Sequence, residues 1–308
     1  MGKIRHFQAT GQILASISQY WRLNFDDRDE VWEKMLNFAA MKRRVTIAAA
    51  LLVIALAGCR YINYHPYDVD ISGATGLNKK NARLIEERCL GRDTIVFAAT
   101  GDTQGWYDET EALVKDLNKR PEVMFLVHDG DFTDFGAVQE YKWQRAILSK
   151  LRVPYVACIG NHDCLGTGKE TFERIYGKTN FTFIAGGVKF LMLNTNALEY
   201  DYSEPIPDLD FIERQERERA GEFDRTIVVM HAKPYSDVFN NNVAKPFQRY
   251  LHQLPGLLSC INGHNHSLAQ DDIFGDGLVY YQTPCIAKRQ YYIFTITPNS
   301  FSHEVVSF

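Results

Sequence analysis

An α/β fold is predicted by three observations. Five short apolar runs read as β-strands: Thr94–Ala99, Val123–Val127, Pro154–Ile159, Thr226–Met230 and Leu257–Ile261. Each is closely followed by a polar cluster, in the order Gly101-Asp102-Thr103-Gln104, Gly130-Asp131, Gly160-Asn161-His162-Asp163, His231 and Gly263-His264-Asn265-His266. The first three clusters recur at steps of about thirty residues, the length of a βαβ unit. Open α/β sheets gather ligands at the carboxyl ends of their strands, so the clusters mark a single functional edge.

The elements follow in order. Residues 22–38 have helical character, with Asp26, Asp27 and Asp29 near the start and Val31, Met35 and Leu36 after them. Met41-Lys42-Arg43-Arg44 then leads into Val45–Ala57, in which only Thr46 is polar, and into Gly58-Cys59. That apolar stretch is shorter than the ~20 residues a helix needs to cross a bilayer. A basic start, a short apolar stretch and small residues at its end have the form of a secretory signal over residues 41–59. A buried helix or strand is the plainer alternative, against which the basic flank and the Gly-Cys end both speak. A signal starts at the chain start, so Met41 is expected to be the initiator and residues 1–40 an upstream segment outside the mature protein.

Residues 60–92 read as a tether carrying an edge strand near Val69–Ile71 and a helix over Asn78–Cys89, with Leu77, Ala82, Leu84 and Ile85 available for its apolar face. The main domain is expected over residues 93–308. Helices are predicted near Asp108–Asn118 and Ala137–Lys150, and Asp108 with Glu111 fits a capping box. Val188–Asn194 supplies a further strand, and Asp208–Glu222 a charged helix anchored by Phe211 and Ile212. After Gly263, Leu278–Gln282, Gln290–Ile296 and Ser302–Val306 are short strands that read as an antiparallel closing section.

Composition narrows the function. The 308 residues carry a formal net charge of −4, and residues 59–308 hold 26 Lys+Arg against 33 Asp+Glu. No run rich in Lys or Arg occurs after residue 59, which argues against a nucleic-acid groove. A negative surface does not exclude a phosphate substrate, because bound cations reverse the local sign. Of the six cysteines, Cys59 is set apart by its context. Cys89, Cys158, Cys164, Cys260 and Cys285 form no Cys-x-x-Cys pair and imply no disulfide framework. Cys158 and Cys260 fall in strands and are expected to pack as small apolar residues.

Asp, Asn and His offer hard oxygen and borderline nitrogen ligands, suited to small divalent or trivalent cations. Singly, each has a bland alternative: an Asp after a strand is usually a turn residue, and a lone His a packed or surface one. As an ordered set at strand ends they read as a two-metal hydrolase.

The set resembles the calcineurin-like metallophosphoesterases, whose pattern is Asp-x-His, Gly-Asp, Gly-Asn-His-Asp/Glu, a lone His and Gly-His-x-His. The resemblance covers roughly Asp93–Phe308 and implies an αββα sandwich of two mixed β-sheets flanked by helices. It implies Asp102, Gln104, Asp131 and His266 around a first metal, and Asp131, Asn161, His231 and His264 around a second, with Asp131 bridging. Gln104 departs from the pattern, standing where the family usually has His. Its carbonyl would ligate more weakly, favouring manganese or magnesium over zinc or iron, or it would only hydrogen-bond a bound water. By the same resemblance His162 faces the substrate as a catalytic residue, with Asp163 orienting its ring. Thr133 and Asp134 support the site, while His128 is structural.

The implied activity is hydrolysis of a phosphoric ester by a metal-bridging hydroxide, on a phosphorylated small molecule or lipid. The alternative is a catalytically weak scaffold on the same fold. The loops around Trp106, Tyr107, Leu198–Pro207 and Asp237–Asn242 would choose the substrate; the polar run Asn240–Asn242 reads as a solvated loop and Lys288 and Arg289 as surface charge. Leu56-Ala57-Gly58-Cys59 resembles a bacterial lipobox. That implies lipidation at Cys59 and an exported, membrane-anchored lipoprotein facing the periplasm or cell surface.

Overall fold

The structure, a computed structural model, describes residues 15, 16, 18, 19, 30–54, 69 and 71–308. The chain divides into two compact units, Met1–His65 and Pro66–Phe308. In the first, residues 30–54 form one solvent-exposed helix, α1. It runs through Met41 without a break, so the helical character read before Met41 and much of the apolar stretch after it share one helix. Lys34 pairs with Glu30 one turn away at 2.7 Å on its surface. No described helix is long and apolar enough to cross a membrane. Cys59 and the rest of the lipobox lie outside the described residues.

The second unit opens with α2 (Leu77–Cys89), then alternates β1 (Ile95–Thr100), α3 (Tyr107–Leu117), β2 (Phe125–His128), α4 (Val138–Leu148) and β3 (Tyr155–Ala157). There follow α5 (Gly168–Ile175), β4 (Phe181–Ala185), β5 (Val188–Leu193), α6 (Leu209–Gln215), β6 (Arg225–Met230), α7 (Ala244–Leu251) and β7 (Leu257–Asn262). The chain ends in β8 (Ala269–Asp271), β9 (Tyr280–Gln282), β10 (Gln290–Thr297) and β11 (Ser300–Ser307). Two mixed sheets result, ordered β11-β10-β1-β2-β3 and β4-β5-β6-β7-β9-β8. The strands β1, β2 and β3 are parallel neighbours, as are β5, β6 and β7, so their carboxyl ends point one way within each sheet.

The central strands are buried on both faces, and successive residues join opposite cores with the two-residue period of a strand. Phe97, Phe125, Phe183, Phe190 and Phe294 are fully buried in one cluster to which both sheets contribute. Their rings stack or meet edge-on at centroid distances of 4.8–5.8 Å. Truncating one such ring to Ala costs ~3–5 kcal/mol. Ala98 and Leu126, on the opposite face of β1 and β2, pack with Leu113 of α3 and Leu148 of α4. Leu191 and Val228 of the second sheet pack with Ile212 of α6 and Phe247 of α7. This is the αββα sandwich.

Several expected details differ. The helix over residues 77–89 is part of the sandwich, not of a tether. The Asn78 amide donates to the Ala157 carbonyl and accepts from the Ala157 N–H, both at 2.9 Å, and Asn81 donates to the Tyr155 carbonyl. Glu86 accepts from the Ile184 N–H. The helix thereby satisfies the open edges of β3 and β4, which would otherwise invite pairing with another chain. No strand forms at Val69 or Ile71, since the Val69 carbonyl is taken by Arg174 at 3.1 Å. The Asp108–Glu111 capping box is absent: α3 begins one residue before Asp108, and Glu111 turns outward to Lys150. The helix expected over Asp208–Glu222 stops at Gln215, although Asp208 does cap it by accepting from Phe211 N–H. The closing section is antiparallel at β10 and β11, whereas β9 runs parallel to β7.

Candidate metal centre

The loops leaving β1, β2, β3, β6 and β7 bring the seven expected ligands together. Asp102, Asp131 and His231 are all buried, with ligand atoms within 4.8 Å of one another. The Asn161 Oδ1 lies 3.0 Å from both His231 Nε2 and His264 Nδ1, and His231 Nε2 lies 3.2 Å from Asp131 Oδ2. On the other side of Asp131, the Gln104 Nε2 is 3.5 Å from Asp131 Oδ2 and 3.4 Å from His266 Nε2. The His266 Nε2 is in turn 3.4 Å from Asp102 Oδ1. Gln104 is buried, and its Oε1 has no hydrogen-bond partner among the described residues.

These distances fit a cation. Two ligands at right angles, each about 2.1 Å from one ion, lie about 3.0 Å apart, which is the spacing around Asn161. The second nitrogens of His231 and His264 are also committed. His231 Nδ1 donates to the Asp129 carbonyl at 3.0 Å, and His264 Nε2 faces Asp237 Oδ1 at 2.7 Å. Such partners fix the ring and aim the other nitrogen at the site.

Burial opposes charge on His231, yet the Asp131 carboxylate beside it raises its pKa to about 10. Burial likewise pushes Asp131 up, but the charge of His231 and its hydrogen bond hold that carboxyl below the usual range. A shared proton thus sits where a cation would replace it, since ligation needs the imidazole neutral and the carboxylate ionised.

The backbone is shaped for this convergence. Asp102, Asp131, His264 and His266 all adopt left-handed φ, between 48° and 74°. Such conformations cost of order 1–3 kcal/mol each and gather at functional sites. Gly160 is required for a different reason, because a Cβ there would overlap Asp131 Oδ1 and its amide nitrogen.

Asp163 requires a correction. It does not touch the His162 ring. Its Oδ2 accepts from Asp131 N–H at 2.9 Å and Gly160 N–H at 3.0 Å. Its Oδ1 accepts from Phe132 N–H, Thr133 N–H and the Thr133 hydroxyl at 2.9–3.1 Å. With every acceptor used by the loops after β2 and β3, the carboxylate pins those loops together. The His162 ring is held instead by the Asp134 carbonyl, 2.9 Å from Nδ1. Since a carbonyl only accepts, Nδ1 carries the proton and Nε2 is left for other work.

Two further acidic residues were not singled out from the sequence. Asp237 orients His264, as above. Asp129 is wholly buried, accepts from the Thr283 hydroxyl at 2.7 Å, and is pushed up to about 8 by burial and then by the charge of Asp102. Its signal was only adjacency to Gly130-Asp131. His128 is structural as expected, with Nδ1 accepting from Gly130 N–H and Nε2 3.0 Å from the Thr103 hydroxyl. Asn240 and Asn241 bond within their own loop, and Arg289 is held by the Phe308 carbonyl. A cavity of about 860 Å³ opens beside His264, lined in part by Lys233, Tyr235, Ser236 and Asp237, with Lys233 paired to Asp271.

A sequence model of the calcineurin-like phosphoesterases matches residues 95–268, the stretch that holds all seven ligands. The fold is similar to that of a dimetal phosphatase from Danio rerio, at TM-score 0.56 and 13% identity, over 69% of this chain and 97% of that one. It is also similar to GAP50, the anchor in the inner membrane complex of Plasmodium, at TM-score 0.51 and 13% identity, over 70% and 85%. A third similar structure is the purple acid phosphatase PPD1 of yellow lupin (Lupinus luteus) seeds, at TM-score 0.50 and 12% identity, over 70% of this chain and 51% of that one. No curated protein matches the sequence. The family match spans more than half the chain, and the sandwich and its ligand edge agree with it: the protein belongs to the calcineurin-like phosphoesterase family.

Proposed function

We propose that the protein hydrolyses phosphoric esters with two metal ions. Asp102, Gln104, Asp131 and His266 hold one, and Asp131, Asn161, His231 and His264 hold the other, with Asp131 shared. The observation that carries this reading is the placement of Asn161 Oδ1 at 3.0 Å from two differently anchored imidazoles, beside a carboxylate shared with a second ligand group. When bound, the metals supply an activated water as nucleophile and positive charge for the phosphoryl oxygens. The remaining roles belong to the chain. His162, with Nδ1–H on the Asp134 carbonyl, presents Nε2 to the leaving oxygen; as the imidazolium it would give the Nε2 proton to that oxygen and be left as the neutral Nδ1–H ring. Gln104 ligates through Oε1 after a half-turn of its amide, and as a harder, weaker ligand than imidazole it favours manganese. The cavity beside His264 receives the organic part of a phosphorylated substrate.

The test is turnover of para-nitrophenyl phosphate and its bis-ester after manganese loading, with elemental analysis of the same sample. Two metals per chain are expected, with Asp131→Ala losing both and His264→Ala mainly one. An active wild type with one metal or none overturns the two-metal reading, and a loaded protein inert to both esters supports a scaffold instead.

We further propose that Cys59 is lipidated and that the protein is an exported lipoprotein, on the strength of Leu56-Ala57-Gly58-Cys59 behind a basic and apolar stretch. Mass spectrometry of the native N-terminus decides this. Peptides from residues 1–40 in mature protein, or a wild type wholly free of the membrane fraction, overturn it.

A further inference from the structure

A groove of about 730 Å³ lies between α2, the second half of α4 and the loop entering β3. Two helix faces line it. Leu77, Lys80, Leu84 and Arg88 fall at three- and four-residue spacing along α2, and Lys142, Arg145 and Ser149 do the same along α4. Arg152 adds a fifth cation, and no carboxylate lines the groove. On a chain of net charge −4 this is a local reversal of sign. The cations stand beside apolar surface, with Leu84 43% exposed and Leu151 and Pro154 contributing to the wall. Long basic side chains flanking an exposed leucine suit a boundary where stems meet an apolar layer and charged heads meet anions.

We propose that this groove docks the catalytic unit on an anionic phospholipid bilayer. Three features on this face favour a bilayer over a small anion. The five cations belong to two helices and a loop, not to a single anion-binding turn. Arg145 already donates to the Ser72 and Ala74 carbonyls, so it fixes the entering chain against the groove and is not free to close around a ligand. Exposed leucine between the cations has no use in a phosphate pocket. The groove also lies at the amino end of β3, where Pro154 precedes the strand, whereas the metal ligands follow the carboxyl ends of β1, β2 and β3. Docking by this face therefore turns the catalytic edge away from the bilayer. The inference needs neither the lipid anchor nor hydrolytic activity.

The test compares full-length chains, both carrying Cys59→Ser so that no acyl group contributes. One has the natural groove, and the other carries Lys80→Gln, Arg88→Gln and Lys142→Gln, leaving Arg145 and Arg152 to their backbone carbonyls. Flotation with phosphatidylcholine vesicles, with and without phosphatidylglycerol, reads the partitioning. Each cation near an anionic surface contributes about fivefold, so the triple variant should bind the anionic vesicles about a hundredfold more weakly, at an unchanged thermal midpoint. The difference should shrink as salt rises. Hydrogen exchange on the vesicles should slow in residues 77–89 and 142–154 and not in 263–273. Equal binding of both chains to anionic vesicles, or protection at residues 263–273 instead, overturns the proposal. Saturable binding of inorganic phosphate, lost in the triple variant without any change on vesicles, assigns the groove to a small anion and overturns it as well.

Discussion

Replacing Asp163 by Asn separates two readings of the Gly160-Asn161-His162-Asp163 motif. If Asp163 served the His162 ring, the variant would keep its stability and lose turnover. The structure predicts the reverse order of effects. Asn retains an oxygen that can take the place of Oδ1 and keep its three hydrogen bonds from Phe132 and Thr133. In place of Oδ2 it puts an NH₂ group against the Asp131 and Gly160 N–H groups, which are donors themselves. Two N–H groups lose their acceptor in a fully buried site. At about 1–3 kcal/mol for each unsatisfied group, the loss is about 2–6 kcal/mol.

Asp163→Ala orphans all four N–H groups, leaving the Thr133 hydroxyl only the His162 carbonyl to donate to, and should cost about 4 kcal/mol or more by the same rule. Against a typical total of about 5–15 kcal/mol, that approaches unfolding. Urea denaturation at constant slope measures both variants. The experiment should be run with a chelator present, so that weakened metal binding does not enter the comparison. An Asn variant within about 0.5 kcal/mol of wild type, the range of an inconsequential surface change, but with depressed turnover, would refute the pinning role.

Three other variants test the site. Asp237→Asn should lower affinity for the metal at His264 by about 10–100-fold, the usual effect of losing a partner behind a ligating histidine; equilibrium dialysis reads it, and unchanged affinity would show that Asp237 does not orient the ring. His162→Ala should keep its metals while kcat falls by about 10²–10⁴, and full activity on an alkyl phosphate would remove the proton-transfer role. Gln104→His should tighten the Asp102–His266 site and move its preference from manganese toward zinc or iron, seen by competition dialysis; an unchanged preference would mean that Gln104 is not a ligand.

The parts of this protein legible in its sequence are those that depend on near neighbours. The strand runs before Asp102, Asp131 and Asn161 announce themselves by apolar residues, and the ligand types by their chemistry. The role of Asp163 was not legible. Four of its five partners are backbone N–H groups, three of them on Asp131, Phe132 and Thr133, some thirty residues away. Backbone donors have no sequence signature. Asp237 was hidden similarly, since only folding places its carboxylate on His264. The hairpin of β4 and β5 did carry a signal, Gly186-Gly187 between apolar runs, which is a two-residue turn. The eight-residue helices α5 and α7 are too short for their periodicity to stand out, and α7 carries Pro246 within it. The edge strand near Val69–Ile71 failed for an opposite reason: β propensity was present, but Arg174 and Arg145 hold that stretch by its carbonyls.

Charge balance beneath the ligand edge bears on the proposed metal centre. Asp102, Asp129, Asp131 and Asp163 are all buried within the loops after β1, β2 and β3. An ionised carboxylate without partners in such a place costs several kcal/mol, so each must be accounted for. Asp163 has five hydrogen-bond donors. Asp129 has one, from Thr283, and burial followed by the charge of Asp102 pushes its carboxyl up to about 8. Asp131 accepts the His162 N–H at 3.0 Å and leans on His231 at 3.2 Å, but His231 must be neutral to ligate. Asp102 accepts one N–H, from His264, and otherwise faces the half-exposed His266 at 3.4 Å. Asp102 thus has a single N–H donor, Asp131 relies on a proton shared with His231 that ligation would displace, and the ligand atoms of all three lie within 4.8 Å of one another. Two cations sharing Asp131, as proposed, would supply the positive charge that these carboxylates call for.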